Sequence, residues 1–244
     1  MAFVKEPKAL LIDLDDTLIC YDGYANEAWT EACGPAADHD IGIKPLVEKI
    51  LGVSSWFFSD PERHRVGRND LEETRRHIVR KALKELDAAD DTLGTEIGDR
   101  YSRIRDRMLY LFPGARETLE SLKNRGIPMC LVTNGERHIQ RRKIERFLLE
   151  PYFKGILVEG ELGFGKPDER VFLKALEILN TRAEETWVIG DNYQWEVIAP
   201  SRLGFTTVWV DKRGGGLPAD VSVKPDAIID TFSELLDLVA AAGS

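Results

Sequence analysis

Asp13 and Asp15 stand two residues apart at the end of the apolar run Ala9-Leu10-Leu11-Ile12. Side chains alternate along a strand, so both carboxylates project into one crevice. One of them can attack phosphorus and form an aspartyl-phosphate. The other can protonate the leaving oxygen and then deprotonate the water that cleaves the intermediate. Two acids this close repel, so a cation is required to keep the nucleophile ionised. Hard oxygen ligands with retained waters favour Mg²⁺ over zinc.

Three later segments add to this set. Thr133-Asn134-Gly135 ends a second apolar run, Gly165-Lys166-Pro167 follows a third, and Gly190-Asp191-Asn192 ends a fourth. They offer a hydroxyl with backbone amides, an ammonium group, and in Asp191 a third carboxylate. Phosphoryl transfer needs a nucleophile, a metal to neutralise charge, and donors for the equatorial oxygens. Thr133 alone reads as a helix N-cap, and Lys166 alone as a solvated turn lysine. In company, and with Pro167 fixing the chain after Lys166, the phosphate-binding readings win.

These residues must be positioned by strands. Continuous apolar runs are expected of strands buried on both faces of a parallel sheet. They occur at Ala9–Ile12, Pro128–Val132, Ile156–Val158, Thr186–Ile189 and Thr206–Val210, with a weaker one at Ala227–Ile229. Helical patterns separate them, over Ala115–Asn124, Arg137–Leu148, Glu169–Leu179 and Glu196–Leu203. That alternation predicts an α/β fold, a doubly wound parallel sheet, whose ligands bind beyond the carboxyl ends of the strands.

The stretch 22–111 breaks the rhythm. Its apolar residues, such as Leu71, Ile78, Leu83 and Leu86, recur at helical spacing, and a last helix over Glu96–Leu111 leads back to Pro113-Gly114. We read it as a mostly helical domain inserted into an α/β core of residues 1–21 and 112–244.

The 244 residues carry a net charge of −9, which argues against non-specific nucleic-acid binding. An anionic substrate must therefore meet a local positive site. Cys20, Cys33 and Cys130 are too scattered for a disulfide framework or a zinc site, and Cys130, in an apolar run, reads as a core residue. No run approaches the roughly 20 apolar residues of a membrane-spanning helix, and the N-terminal run is too short for a signal peptide. No membrane partner is expected, and the cytoplasm is the expected location.

The four segments, in their order, resemble the haloacid dehalogenase (HAD) superfamily, in its subclass with a helical cap inserted after the first motif. The resemblance covers Ala9–Leu18, Phe112–Asn134, Gly163–Phe172 and Val188–Phe205. It implies a Rossmann-like core, with Asp13 as nucleophile and Asp15 as general acid/base. It implies phosphate binding by Thr133, Lys166 and the backbone amides of Leu14 and Asn134. The implied magnesium ligands are Asp13, the carbonyl of Asp15, and Asp191. There are departures: Glu196 stands where the family has a second aspartate, and is expected to support Lys166 or a metal-bound water. Pro200 falls inside the fourth helical pattern, which should start late or kink there.

The implied reaction is hydrolysis of a small phosphomonoester. A phosphomutase uses the same groups. A dehalogenase would give Asp15 and Asp191 no reason to be present, and a non-catalytic binding protein would be expected to have lost Asp13 or Lys166. Within the insert, Trp56, Arg63, His64 and Arg68 are candidates for recognising the leaving group. Other residues receive plainer readings. Asp16 is read as a cap or surface turn, and His138 as surface without a partner. Arg75, Arg76, His77, Arg103, Arg105 and Arg107 are read as exposed helix faces, and residues 212–216 as a flexible surface turn.

Overall fold

The computed structural model describes residues 5–38, 41–212, 214–217, 221 and 223–243. Arg213 and residues 1–4, which belong to two of the readings above, lie outside them. The chain divides into two compact units, Tyr21–Leu109 and the combination of Met1–Cys20 with Tyr110–Ser244.

The Tyr21–Leu109 unit is helical: α1 (Ala25–Ala32), α2 (Ile43–Phe58), α3 (Pro61–Arg68), α4 (Leu71–Glu85) and α5 (Asp91–Met108). Two of the starts are capped by an aspartate side chain. The Asp60 carboxylate caps α3 by accepting from Arg63 N–H, with Pro61 in the first turn. Asp90 does the same for α5 through Leu93 N–H, which places the start of that helix five residues before the expected Glu96. The faces of these helices bury one apolar cluster that includes Trp29, Leu46, Ile50, Ile78, Leu83, Ile97 and Ile104.

The second unit is built on a six-stranded sheet. Its strands are β1 (Ala9–Ile12), β4 (Met129–Thr133), β5 (Gly155–Val158), β6 (Thr186–Gly190), β7 (Thr206–Val210) and β8 (Ala227–Ile229). The order is β5-β4-β1-β6-β7-β8, and every pairing is parallel. A small antiparallel ribbon joins β2 (Ile19–Cys20) to β3 (Tyr110–Leu111). The connecting helices are α6 (Ala115–Asn124), α7 (Arg137–Arg146), α8 (Glu159–Leu162), α9 (Glu169–Leu179) and α10 (Ala199–Ser201), with α11 (Leu235–Ala242) last. All four residues of β1 are buried, as a central strand covered on both faces requires. This is a doubly wound α/β fold. Among the described residues no helix is long and apolar enough to cross a membrane.

Two helices of this second unit also differ from the expected spans. The helix expected over Arg137–Leu148 stops at Arg146, because Leu148 turns left-handed at φ 51° and Leu149 N–H returns to the Ile144 carbonyl. A left-handed residue closing the chain in this way ends a helix. The helix expected over Glu196–Leu203 starts earlier, not later. A wide π turn spans Tyr193–Ile198, with Ala199 N–H reaching back to the Gln194 carbonyl, and α10 follows with Pro200 in its first turn. Pro200 has no N–H to donate, and the helix accommodates it just after the wide turn.

Candidate active site

The register brings the ends of three strands together. Ile12 lies beside Leu131 on one side and Ile189 on the other. Asp13, Thr133 and Asp191 therefore follow within two residues of one line across the carboxyl ends of β1, β4 and β6. Chain direction away from β1 reverses here, the position at which open α/β sheets bind ligands.

Asp13 is 8% exposed. Its N–H donates to the Ile189 carbonyl at 3.0 Å, which fixes the backbone. One carboxylate oxygen accepts from Lys166 Nζ at 2.6 Å, and the other from Thr17 Oγ1 at 3.0 Å. Lys166, 1% exposed, also lies 2.7 Å from Glu196 Oε1. Glu196 is just as buried, and its second oxygen accepts from Asn192 N–H at 2.8 Å. The loop carrying Lys166 is braced by the Asn134 side chain, which donates to the Lys166 carbonyl and accepts from its N–H. Gly190 is required by this packing: a Cβ there would lie 2.2 Å from Glu196 Cγ and 3.1 Å from Asp13 Cβ. Of the two supports expected of Glu196, the geometry shows the one to Lys166.

Charge in this cluster is unbalanced. Burial, the largest influence on Asp13, raises its carboxyl, and the charge and hydrogen bond of Lys166 only partly offset that. Burial likewise pushes Asp191 up to about 8, reinforced by the charges of Asp13 and Glu196. It carries Glu196 to about 7 against the pull of Lys166. Lys166 is held above its ordinary range: burial would lower it, but the charges of Asp13 and Glu196 prevail.

The sign of the stability effect follows. Asp191 and Glu196 both sit above the carboxyl values of roughly 4 expected in an unfolded chain. The folded chain keeps protons that the unfolded chain has shed. The stabilising contribution of these two groups is thus complete below the unfolded values and is lost as pH rises through 7 and 8. Denaturant unfolding of chelator-treated protein should show a lower midpoint at pH 8.5 than at pH 6. A higher midpoint at pH 8.5 would contradict the charge excess.

Four groups at this site carried no catalytic reading in the sequence. Thr17, within the first motif, holds Asp13. Lys143 Nζ donates to both Asp15 oxygens at 2.7 and 2.8 Å. Gln140 Nε2 donates to Asp15 at 2.8 Å and to Thr133 Oγ1 at 2.6 Å. Both come from the buried face of α7, where Ile139 and Ile144 flank them in sequence. Lys212 Nζ lies 2.5 Å from Asp16 and 3.7 Å from Asp191, so its side chain joins the acidic cluster, although the residue lies in a turn and Gly214, Gly215 and Gly216 after it are exposed. Asp16 itself is buried and left-handed, at φ 62°. It occupies a turn as expected, but not a surface one. His138 is exposed, yet its Nδ1 lies 2.9 Å from Glu136.

In the helical unit Trp56, Arg63 and His64 belong to one aromatic cluster. The Arg63 guanidinium donates to the Trp56 and Phe57 carbonyls at 2.7 and 3.2 Å and lies 4.2 Å over the Trp56 ring. It therefore closes the C-terminus of α2. His64 meets Phe58 edge-on at 5.3 Å, and Arg68 ends α3. Arg75 and Arg105 are buried, against the exposed reading given to them. Helical spacing explains Arg105, which shares a face with Tyr101 and Ile104. Arg103 and Arg107 are exposed and Arg76 is partly so.

The chain belongs to the haloacid dehalogenase-like hydrolases, whose family model matches residues 7–204. Among curated proteins it is 30% identical to a phosphoserine phosphatase of Thermus thermophilus, over 93% of this chain and 97% of that one. It is 29% identical to a ribulose-1,5-bisphosphate 5-phosphatase of Halopiger xanaduensis, over 95% and 99%. Among solved structures, the HAD hydrolase YfnB of Bacillus subtilis, crystallised with magnesium, superposes with a TM-score of 0.75. That pair is 25% identical, with 96% and 99% of the two chains covered.

Proposed function

We propose that this chain is a magnesium-dependent phosphatase of small phosphomonoesters, with Asp13 as its nucleophile. The observation that carries the reading is the setting of Asp13, a buried carboxylate held at one oxygen by Lys166 and at the other by Thr17. A side chain oriented by two partners at a sheet's carboxyl edge is prepared for in-line attack. The relatives named as phosphatases support the same class.

The residues present suit a magnesium ion. Asp13, Asp16, Asp191 and Glu196 set four carboxylates against the ammonium groups of Lys166 and Lys212, an excess of negative charge that a divalent cation would balance. Among the described residues no three acidic, histidine or cysteine side chains converge on one point. Magnesium characteristically takes one or two carboxylates and keeps several waters. Asp13 and Asp191, with the Asp15 carbonyl, would hold it. When bound, it would neutralise charge on the phosphoryl oxygens.

In the proposed reaction, an Asp13 oxygen attacks phosphorus as the bond to the leaving oxygen breaks, and Asp15 gives that oxygen its proton. Asp15 then accepts a proton from water, which attacks the aspartyl-phosphate, releasing phosphate and restoring Asp13. Lys166, the Thr133 hydroxyl and the amides of Leu14 and Asn134 hold the phosphoryl oxygens. Lys143 and Gln140 fix where the Asp15 carboxylate lies.

A panel of phosphorylated metabolites assayed with Mg²⁺ tests the class. Activity should vanish in chelator, return with Mg²⁺ and be inhibited by Ca²⁺, whose looser coordination spoils the aim of Asp13. Mg²⁺ should also raise the Tm of the chelated protein, and Asp191→Ala should remove that rise. Full activity in excess chelator would overturn the metal's role.

A further inference from the structure

The helical unit buries two arginines without a counter-charge. Arg75 on α4 is 8% exposed and Arg105 on α5 is 3% exposed, and among the described residues neither has an ion-pair partner. Arg75 donates to two neutral hydroxyls, Ser102 Oγ and Tyr21 Oη, each at 3.0 Å. The Arg105 guanidinium lies 4.9 Å over the Tyr21 ring and 6.0 Å from the Tyr101 ring centre, and its Nε has no acceptor. Arg75 faces Tyr101 as well, at 5.1 Å. Both guanidiniums thus meet around the same two phenol rings.

This arrangement reverses the usual rule. Buried charges are normally paired, and exposed ones left to water. Here the partly exposed Arg76 pairs with Asp99 and Glu73, and Arg80 pairs with Glu73, all on α4 and α5. A chain with 42 acidic residues against 33 basic ones has carboxylates to place, yet among the described residues none is paired with Arg75 or Arg105. The Tyr101 hydroxyl does not supply the missing charge, because burial pushes it up to about 12 despite both arginines. Asp22 bears on Tyr101 less than burial and the two arginines do. The cations are fixed in place: Trp29 stacks on Tyr101 at 3.5 Å, and Ser102 passes its own proton to the Gly98 carbonyl at 3.1 Å. Tyr21 and Ser102, the hydroxyl partners of Arg75, are only partly buried.

We propose that Arg75 and Arg105 form an anion-binding site within the helical unit, for the phosphate or carboxylate group of a small metabolite. Guanidinium forks match both groups through paired N–H donors, and Arg105 Nε has no acceptor. Cation–aromatic contacts orient the forks without neutralising them. The proposal does not depend on the phosphatase reading, since its test measures binding rather than turnover.

Isothermal titration of the full chain with inorganic phosphate and with malonate separates the two sources of the anionic group. Phosphate also suits the Lys166 site, so the informative quantity is the difference between wild type and Arg105→Met. At least one of the two anions should bind wild type at a site that Arg105→Met and Arg75→Met weaken tenfold or more. Arg76→Met, at a partly exposed paired arginine, should leave that binding unchanged. In anion-free buffer the Tm of Arg105→Met should equal or exceed that of wild type, because an apolar chain replaces an uncompensated charge. Unchanged binding of both anions in Arg105→Met would overturn the site, whatever happens to its Tm. Should that variant not fold, Arg105→Lys, which keeps the charge but loses the planar fork, carries the same test.

Discussion

Asp13→Asn should abolish turnover while leaving the fold at least as stable as wild type. The amide has no anionic oxygen with which to form an acyl-phosphate, and loss of a nucleophile costs roughly 10⁴-fold or more in kcat. The structural cost is small, because the amide oxygen can still accept from Lys166 or Thr17, and Lys166 keeps Glu196 as a counter-charge. One buried negative charge leaves a cluster that has too many. Asp13 is the second largest cause of the rise at Asp191 and also raises Glu196. Both should therefore titrate lower in the variant. A thermal melt alongside kcat measures both halves, and an unchanged or higher Tm with no turnover is the expected pattern for a site that trades stability for function. Activity above about a hundredth of wild type, in protein free of wild-type enzyme, would rule out the covalent mechanism.

What could be read from the sequence, and what could not, divides along physical lines. The strands were legible because a central parallel strand must be apolar on both faces, so Ala9–Ile12 and Thr206–Val210 stand out as uninterrupted runs ending in polar residues. Those endings are where Asp13, Thr133 and Asp191 lie. Glu196 was expected to support Lys166 or a metal-bound water only through the family resemblance, because it stands where the fourth motif has its second aspartate. Lys143 and Gln140 were hidden because α7 reads as a solvated helix, with Arg137, Arg141, Arg142 and Arg146 around them. Their one signal is that Ile139 and Ile144 mark the inward face, onto which Gln140 and Lys143 also fall. Arg75 and Arg105 were misread for the same reason. Charge in a helix suggests water, and only the phase set by Ile78, Tyr101 and Ile104 places these two inside. Lys212 was masked by the glycines after it, which suggest a loop without indicating where the preceding lysine points. The wide turn at Tyr193–Ile198 left no trace except Pro200.

Lys166→Met should damage both activity and stability, and a second substitution can separate the two losses. Lys166 is the buried cation between Asp13 and Glu196. Removing one partner from such a group leaves uncompensated buried charge and costs about 3–5 kcal/mol, read from denaturant unfolding. Turnover should fall roughly 10²–10³-fold, the size of effect expected when a donor to a reacting oxygen is lost. Adding Glu196→Leu removes one of the stranded carboxylates, so the double variant should regain part of the lost stability, as contacting residues couple non-additively. Recovery will be incomplete, because Glu196 also accepts from the Asn192 N–H, and a buried donor left unpaired costs about 1–3 kcal/mol. Activity should not return, since no ammonium group faces the phosphoryl oxygens. If turnover rises in step with stability, Lys166 matters only for folding, and the phosphate-binding role must be sought in Lys143 or Lys212.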